Sequence, residues 1–317
     1  MLYTVDGKHN YFGEEFTMES NKTTVTIPQE AFDWYDEYAH GGIDRRTFMA
    51  RLGSLAVAGL TVGVVSDALL PNYALAEQVS FNDETIKASY LEFDSPDGNG
   101  KGRGYLVQPA QDPEMAEKAP AVLVVHENRG LNPYVKDVAR RLAKKGFLAF
   151  APDALHTLGG YPGNDDEGRA MQKSMDRAKI EQDFIAAAKL LRTNELSTGK
   201  VGVVGFCFGG YISNVLAAMP GAVDASVPFY GTPAKGEAVN KVKGPLLVQL
   251  GELDKRVNAT WPDYEKALKA NDADYEAFIY PGVNHGFHND STGRYNEEAA
   301  ELAWSRTLEF FGKHLAG

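Results

Sequence analysis

The run Val201-Gly-Val-Val-Gly-Phe-Cys-Phe-Gly-Gly210 admits few folds. A β-branched stretch ends at Gly205, Cys207 stands between glycines in a Gly-x-Cys-x-Gly pattern, and Tyr211 to Ala218 can continue as a helix. A strand, sharp turn and helix of this kind hold the central residue in a strained conformation. Glycines two positions either side remove the Cβ atoms that would otherwise collide there. The side chain then stands clear above a sheet, which suits a nucleophile. The turn also puts Cys207 at a helix N-terminus, where unpaired N–H groups and the helix dipole favour a thiolate and can stabilise a developing oxyanion. A cysteine that merely fills a core as a small hydrophobe would not need this glycine spacing.

A chain of 317 residues with 44% hydrophobic content can bury a full core as one large domain or as a domain with an appendage. Its net charge of -11 opposes a nucleic-acid groove or an anionic membrane surface, both of which need a basic excess. A small-molecule substrate is the remaining default. The single cysteine excludes an intramolecular disulfide and any cysteine-rich metal site, so Cys207 is a free thiol.

Residues 1–42 are acidic, Ile27 to Tyr38 reads as one amphipathic helix, and Met18 offers a second start. Ile43-Asp-Arg-Arg-Thr-Phe then precedes an apolar run, Leu52 to Val65, and the triplet Ala74-Leu-Ala76. This order resembles a twin-arginine export signal, which implies the twin-arginine translocase as a transient partner and a periplasmic or exported destination. The other reading is a cytoplasmic protein whose leader stays attached as a packed helix. The apolar run is shorter than the ~18 residues of a spanning helix, so no stable membrane anchor is expected. Residues 1–76 are thus read as a leader, and 77–317 as the folded domain.

From Ile86 onward, strand-like runs alternate with helical periodicity, the pattern of an α/β fold with a mostly parallel sheet and helices on both faces. Two antiparallel strands come first, Ile86 to Phe93 and Gly102 to Val107. Pro120 to His126 is continuously apolar, as a strand buried on both faces should be. Asn132-Pro133 reads as the cap and first residue of a helix that Gly146 stops. The loop 152–167 leads into one long helix carrying Met171, Met175, Phe184 and Leu191. Strands follow the Cys207 turn at Ala225 to Phe229, Pro245 to Leu250 and Tyr275 to Tyr280.

A nucleophilic cysteine needs a base, and the base needs an orienting acid. Pro245 to Leu250 empties into a loop with Asp254 and its rival Glu252, and Phe278 to Tyr280 leads into Pro281-Gly-Val-Asn-His-Gly-Phe287. The order Cys207, Asp254, His285 is the chain order of α/β-hydrolase triads. His285 and His288 also form a His-x-x-His pair, but no third ligand is spaced to complete a zinc site. Neither metal nor cofactor is expected. Two readings from other classes stay open: a non-catalytic binding or redox-sensing protein, and a metal-dependent hydrolase using His126, Glu127 and His288.

Together, Gly205-Phe-Cys-Phe-Gly-Gly210, Gly251-x-x-Asp254 and Pro281-Gly-x-x-His-Gly-Phe287 resemble the dienelactone hydrolase family of α/β-hydrolases, from about Ile86 to the C-terminus. The resemblance implies hydrolysis of carboxylic esters or lactones through an acyl-cysteine. His126-Glu-Asn-Arg-Gly-Leu-Asn132 resembles the family segment whose glutamate contacts the thiol. That likeness places Glu127 beside Cys207 and offers the backbone N–H groups of Asn128 and Phe208 as the oxyanion hole. Where dienelactone-cleaving members carry an arginine four residues beyond the histidine, this chain has Asn289. The pocket is expected to be lined by the 152–167 loop with Tyr161, and by Arg129, Tyr230 and Phe287.

Overall fold

The computed structural model describes residues 2–4, 24–55, 66, 69–74, 76–110 and 118–316, and the chain divides into two compact units, Met1–Pro71 and Asn72–Gly317. In the first unit, β1 (Leu2–Thr4) pairs antiparallel with β2 (Thr24–Thr26). The aromatic stretch after it forms α1 (Gln29–Ala39), which buries Phe32, Tyr35 and Tyr38 with Phe48 and Leu52 of α2 (Arg45–Ser54). Tyr38 stacks on Phe48 with ring centroids 4.8 Å apart. Helix α2 begins at the arginine pair because Asp44 accepts the Thr47 N–H at 2.7 Å, satisfying one orphan donor of the first turn. The apolar residues 56–65 and Leu75 of the Ala-Leu-Ala triplet lie outside the described residues. No described helix is long and apolar enough to cross a membrane.

The second unit starts at Asn72, ahead of the Ala76 boundary read from the sequence. Its elements run β3 (Ile86–Ser95), β4 (Gly100–Pro109), β5 (Ala119–Val125), α3 (Pro133–Lys144), β6 (Leu148–Pro152), α4 (Asp165–Ser174), α5 (Arg177–Thr193), β7 (Ser197–Phe206) and α6 (Phe208–Ala217). There follow β8 (Ala225–Phe229), β9 (Leu246–Gly251), α7 (Lys255–Asn258), α8 (Trp261–Ala270), β10 (Tyr275–Tyr280) and α9 (Glu297–Leu315). One eight-stranded sheet has the order β10-β9-β8-β7-β5-β6-β4-β3, antiparallel only where β4 meets β3 and β6. Strand β5 shows why the run is apolar throughout: alternate side chains enter opposite cores. Val122 and Val124 pack with residues of α3 and α9, whereas Ala121, Leu123 and Val125 pack with residues of α5 and α6.

Local signals set the helix ends. Asn132 accepts the Val135 N–H at 3.2 Å with Pro133 as first residue of α3, and Gly146, at φ 90°, takes the chain out of the helix toward β6. The single long helix expected after residue 167 is instead two. Met175 is extended, and the Asp176 carboxylate caps Ala178 N–H at 2.9 Å, giving the backbone an alternative to continuing α4. That break frees α4 to turn its N-terminal residues, Asp165 among them, toward the loop after β5. The loops after β5, β7, β8, β9 and β10 all leave the carboxyl ends of parallel strands, the edge where open α/β sheets bind ligands.

Candidate active site

Cys207 is a partly exposed free thiol held at φ 57°, a conformation side-chain-bearing residues seldom adopt. Its N–H bonds the Phe229 carbonyl at 3.0 Å, and its own carbonyl accepts the Tyr211 N–H at 3.1 Å, so the turn is fixed from both sides. A Cβ on Gly205 would lie 2.0 Å from the Gly209 carbonyl oxygen, and one on Gly209 would lie 2.1 Å from that of Val125. The glycines therefore bring the start of α6, with Phe208 as its first residue, against the end of β5, whose continuation carries Glu127 and Asn128.

Asp254 and His285 come together 31 residues apart in sequence, with Oδ2 of Asp254 2.5 Å from Nδ1 of His285 and both side chains buried. The other carboxylate oxygen accepts the Val257 N–H at 3.0 Å, capping α7. Both oxygens are thus committed, which fixes the carboxylate plane and with it the imidazole. The two loops are also laced by backbone: Glu252 N–H bonds the Tyr280 carbonyl at 2.9 Å and Leu253 N–H that of Val283 at 3.0 Å. Glu252 is turned to the surface, where it accepts the Gly282 N–H at 2.7 Å. Arg256 Nη2 is 3.4 Å from His285 Nδ1, too long to compete with the carboxylate. The Cys207 sulfur lies within 4.8 Å of a ring nitrogen of His285. With Nδ1 bound to Asp254, Nε2 is the nitrogen able to take a proton from a nucleophile.

Glu127 is 1% exposed. Its Oε2 accepts from Nδ2 of Asn289 at 3.2 Å and lies 3.8 Å from Nε of Arg129, whereas Oε1 has no hydrogen-bond partner among the described residues. Asn289 has no freedom to turn: its Oδ1 takes the Ser291 N–H at 3.1 Å and the Ser291 hydroxyl at 2.6 Å, so its amide nitrogen must face Glu127. Arg129 is neutralised on its far side by Asp165, 2.6 Å from Nη1. Asp165 in turn accepts the Tyr161 hydroxyl at 2.9 Å and the Tyr73 hydroxyl at 2.8 Å.

Of the four other expected pocket residues, Arg129, Tyr230 and Phe287 are buried and Tyr161 is half-buried. Phe287 is fully buried, with its ring against Tyr280, Tyr230 and Phe229 at 5.1, 5.7 and 6.2 Å, and it supports the His285 loop from the core. Tyr230 is also buried, at φ 40°, with its ring 4.9 Å from His285. Burial first, then the Glu127 carboxylate, holds its phenol well above the ordinary range. Arg129 is buried in its ion pair, and Tyr161 is spent on Asp165. Asp165, Tyr73 and Asn132 were not expected at this place. Asp165 lies in an Asn-Asp-Asp-Glu helix start that reads like any solvated first turn.

The two histidines of the metal-dependent reading are committed elsewhere. His126 donates from Nδ1 to the Glu127 carbonyl at 2.5 Å and accepts the Ala154 N–H at Nε2, 3.1 Å away, while His288 meets the Tyr134 hydroxyl through Nδ1 at 2.7 Å among Phe206, Phe229 and Trp304. Burial holds His126 below its ordinary pKa and pushes His288 down to about 3. Both are neutral when folded and take up protons on unfolding. Stability is therefore complete above the ordinary value of 6.5 and is lost as pH falls toward about 3 for His288. For His288 the loss by pH 5 is roughly 2 kcal/mol, and His126 adds to it in the same direction. Thermal melts at pH 7 and pH 5 should show this drop, and His288→Gln should shrink it; equal melting points at both pH values would contradict it.

Comparison with known proteins was made on this geometry. Residues 103–315 match the model of the dienelactone hydrolase family, and residues 18–57 match a model described as YqhI-like. A sequence described as a hydrolase fragment, YghX, of Escherichia coli strain K12 is 58% identical over 117 residues, 37% of this chain and 97% of that one. Protein usf of Aquifex pyrophilus is 37% identical over 227 residues, covering 68% of this chain and 94% of its own. A solved dienelactone hydrolase-like promiscuous phosphotriesterase from metagenomic libraries aligns with a TM-score of 0.62 at 23% identity, over 73% of this chain and all of its own, a likeness of fold.

Proposed function

Because the chain belongs to the dienelactone hydrolase family and is a hydrolase of carboxylic esters or lactones, we propose that it works through an acyl-cysteine at Cys207. The Cys207 sulfur attacks the substrate carbonyl carbon while His285 takes the thiol proton. The carbonyl oxygen becomes an oxyanion between the N–H groups of Asn128 and Phe208. The C–O bond to the leaving group then breaks, and His285 returns the proton to the departing alkoxide. Water, deprotonated by the same imidazole, attacks the thioester and releases acid and thiol. Asp254 holds the imidazole in the tautomer these transfers need. The observation that carries this reading is a strained-turn thiol within 4.8 Å of an imidazole whose Nδ1 is bound to a buried aspartate. Denaturing mass spectrometry after p-nitrophenyl acetate should find an acetyl group on Cys207. Turnover with no adduct, even when Asp254→Asn slows deacylation, would overturn it, and absence of any turnover would favour a binding or redox-sensing protein.

The expected substrate class rests on Asn289, Arg129 and Arg169. Asn289, at the position of the family's arginine, is occupied by Glu127 and Ser291, while Arg129 and Arg169 are paired with Asp165 at 2.6 Å and Asp166 at 2.7 Å. A substrate carboxylate here would meet Glu127 in a partly dry site, which is costly. We expect kcat/KM for neutral esters or lactones to exceed that for matched anionic ones by roughly tenfold or more, the worth of one unmade charge contact. A preference for the anion would overturn this assignment.

Residues 43–76 carry a separate proposal, delivery by the twin-arginine translocase to the periplasm. Arg45 and Arg46 are exposed in the first turn of α2, directly ahead of the apolar run, the order that a twin-arginine signal has. Arg45→Lys with Arg46→Lys is expected to leave the protein in the cytoplasm. Unchanged periplasmic delivery would rule out the route.

A further inference from the structure

Among the described residues from Asn72 to Val79, most bond to the rest of the second unit. Asn72 N–H reaches the Ser291 carbonyl at 2.6 Å, Arg140 takes Glu77 at 2.9 Å and the Val79 carbonyl at 2.6 Å, and the Val79 N–H meets Asp137 at 2.9 Å. Within this strap Tyr73 does more than pack. Its hydroxyl donates to Asp165, 2.8 and 3.0 Å from the two carboxylate oxygens, and accepts from Nδ2 of Asn132 at 2.8 Å. Asp165 holds Arg129, and Arg129 faces Glu127. A partly buried chain of contacts therefore runs from Tyr73 through Asp165 and Arg129 to the Glu127 carboxylate.

We propose that Tyr73 is a positioning residue of the hydrolase, which sets how much of the Arg129 charge faces Glu127 and so tunes the Cys207 thiol; the working chain keeps residues from Asn72 onward. This rests on the reading of Glu127 as the thiol's partner. Without the Tyr73 hydroxyl, Asp165 loses one of its two phenol donors and leans harder on Arg129, which then compensates Glu127 less. The negative field at the sulfur grows, and a thiolate becomes harder to form. Cutting after Ala76 would have the same consequence by removing Tyr73 altogether.

The test is the iodoacetamide rate of Cys207 against pH in the full chain. Tyr73→Phe should move the profile to higher pH by several tenths of a unit, within the range one altered neighbouring charge produces. Asp165→Asn, which releases the Arg129 charge toward Glu127, should move it the opposite way, to lower pH, and so should Glu127→Gln. In the Glu127→Gln background the Tyr73→Phe shift should fall below half its size, because no carboxylate is left to compensate. If Glu127→Gln shifts the profile but Tyr73→Phe does not, or shifts it equally in both backgrounds, Tyr73 is structural and the proposal is overturned. If Glu127→Gln itself leaves the profile in place, the thiol-partner reading fails first and takes this one with it. The intact mass of protein purified from cells should place the mature N-terminus at or before Tyr73; a fully active chain beginning at Glu77 would also overturn the proposal.

Discussion

Cys207→Ala, His285→Ala and Asp254→Asn are each expected to lower ester turnover by roughly 10³-fold or more, and pairs of them are expected to lose little beyond the worse single variant. The three side chains act on one proton and one bond. Once the thiol is gone, the imidazole has nothing to deprotonate; once the imidazole is gone, the aspartate has nothing to orient. Asp254→Asn is the sharpest of the three because Asp254 has two duties. Its Oδ1 caps α7 through the Val257 N–H while Oδ2 binds His285 Nδ1. Asparagine caps a helix about as well as aspartate, so α7 should survive and the loss should report the imidazole alone. The measurement is kcat/KM for a neutral p-nitrophenyl ester across singles and doubles. Losses that multiply independently would mean that the residues do not work as a unit.

Much of this site could be read along the chain because its signals are short-range. The Gly-x-Cys-x-Gly turn, the Asn132-Pro133 helix start and the strand-then-loop placement of Asp254 and His285 each span only a few residues. What could not be read is what joins distant segments. Asn289 meets Glu127 across 162 positions and Tyr73 meets Asp165 across 92, and nothing in either local stretch marks the partner. The same limit explains Phe287. An aromatic after a Gly-flanked histidine reads equally well as pocket wall or core, and only the rings of Phe229, Tyr230 and Tyr280 packed around it decide for core. The division of the helix at Asp176 was missed for the opposite reason. The apolar spacing of Met171, Met175 and Phe184 carries across the break, and the capping carboxylate that makes the break looks like one more surface acid.

The second large effect is expected from the smallest side chains. Gly205→Ala and Gly209→Ala should each destabilise the fold by more than about 4 kcal/mol, beyond the ordinary range of single substitutions. At Gly205 the added carbon would meet the Gly209 carbonyl oxygen at 2.0 Å, and at Gly209 that of Val125 at 2.1 Å. Neither obstacle is the mobile end of a side chain. One belongs to the first turn of α6 and the other to the last residue of β5, so relief requires parting the elbow from the strand whose end leads to Glu127 and Asn128. Any variant that still folds should therefore lose activity as well. Gly312→Ala is the opposing control. It lies on the exposed side of α9 with no atom beyond its neighbours and the helix's own backbone within 4 Å of the new carbon, and it should stabilise by about 0.5–1 kcal/mol through helix propensity alone. Urea melts of the three variants give the comparison. If Gly209→Ala melts close to the wild type, the contact between β5 and the elbow can yield, and the oxyanion site assigned to Asn128 and Phe208 would lose the rigid spacing that its chemistry requires.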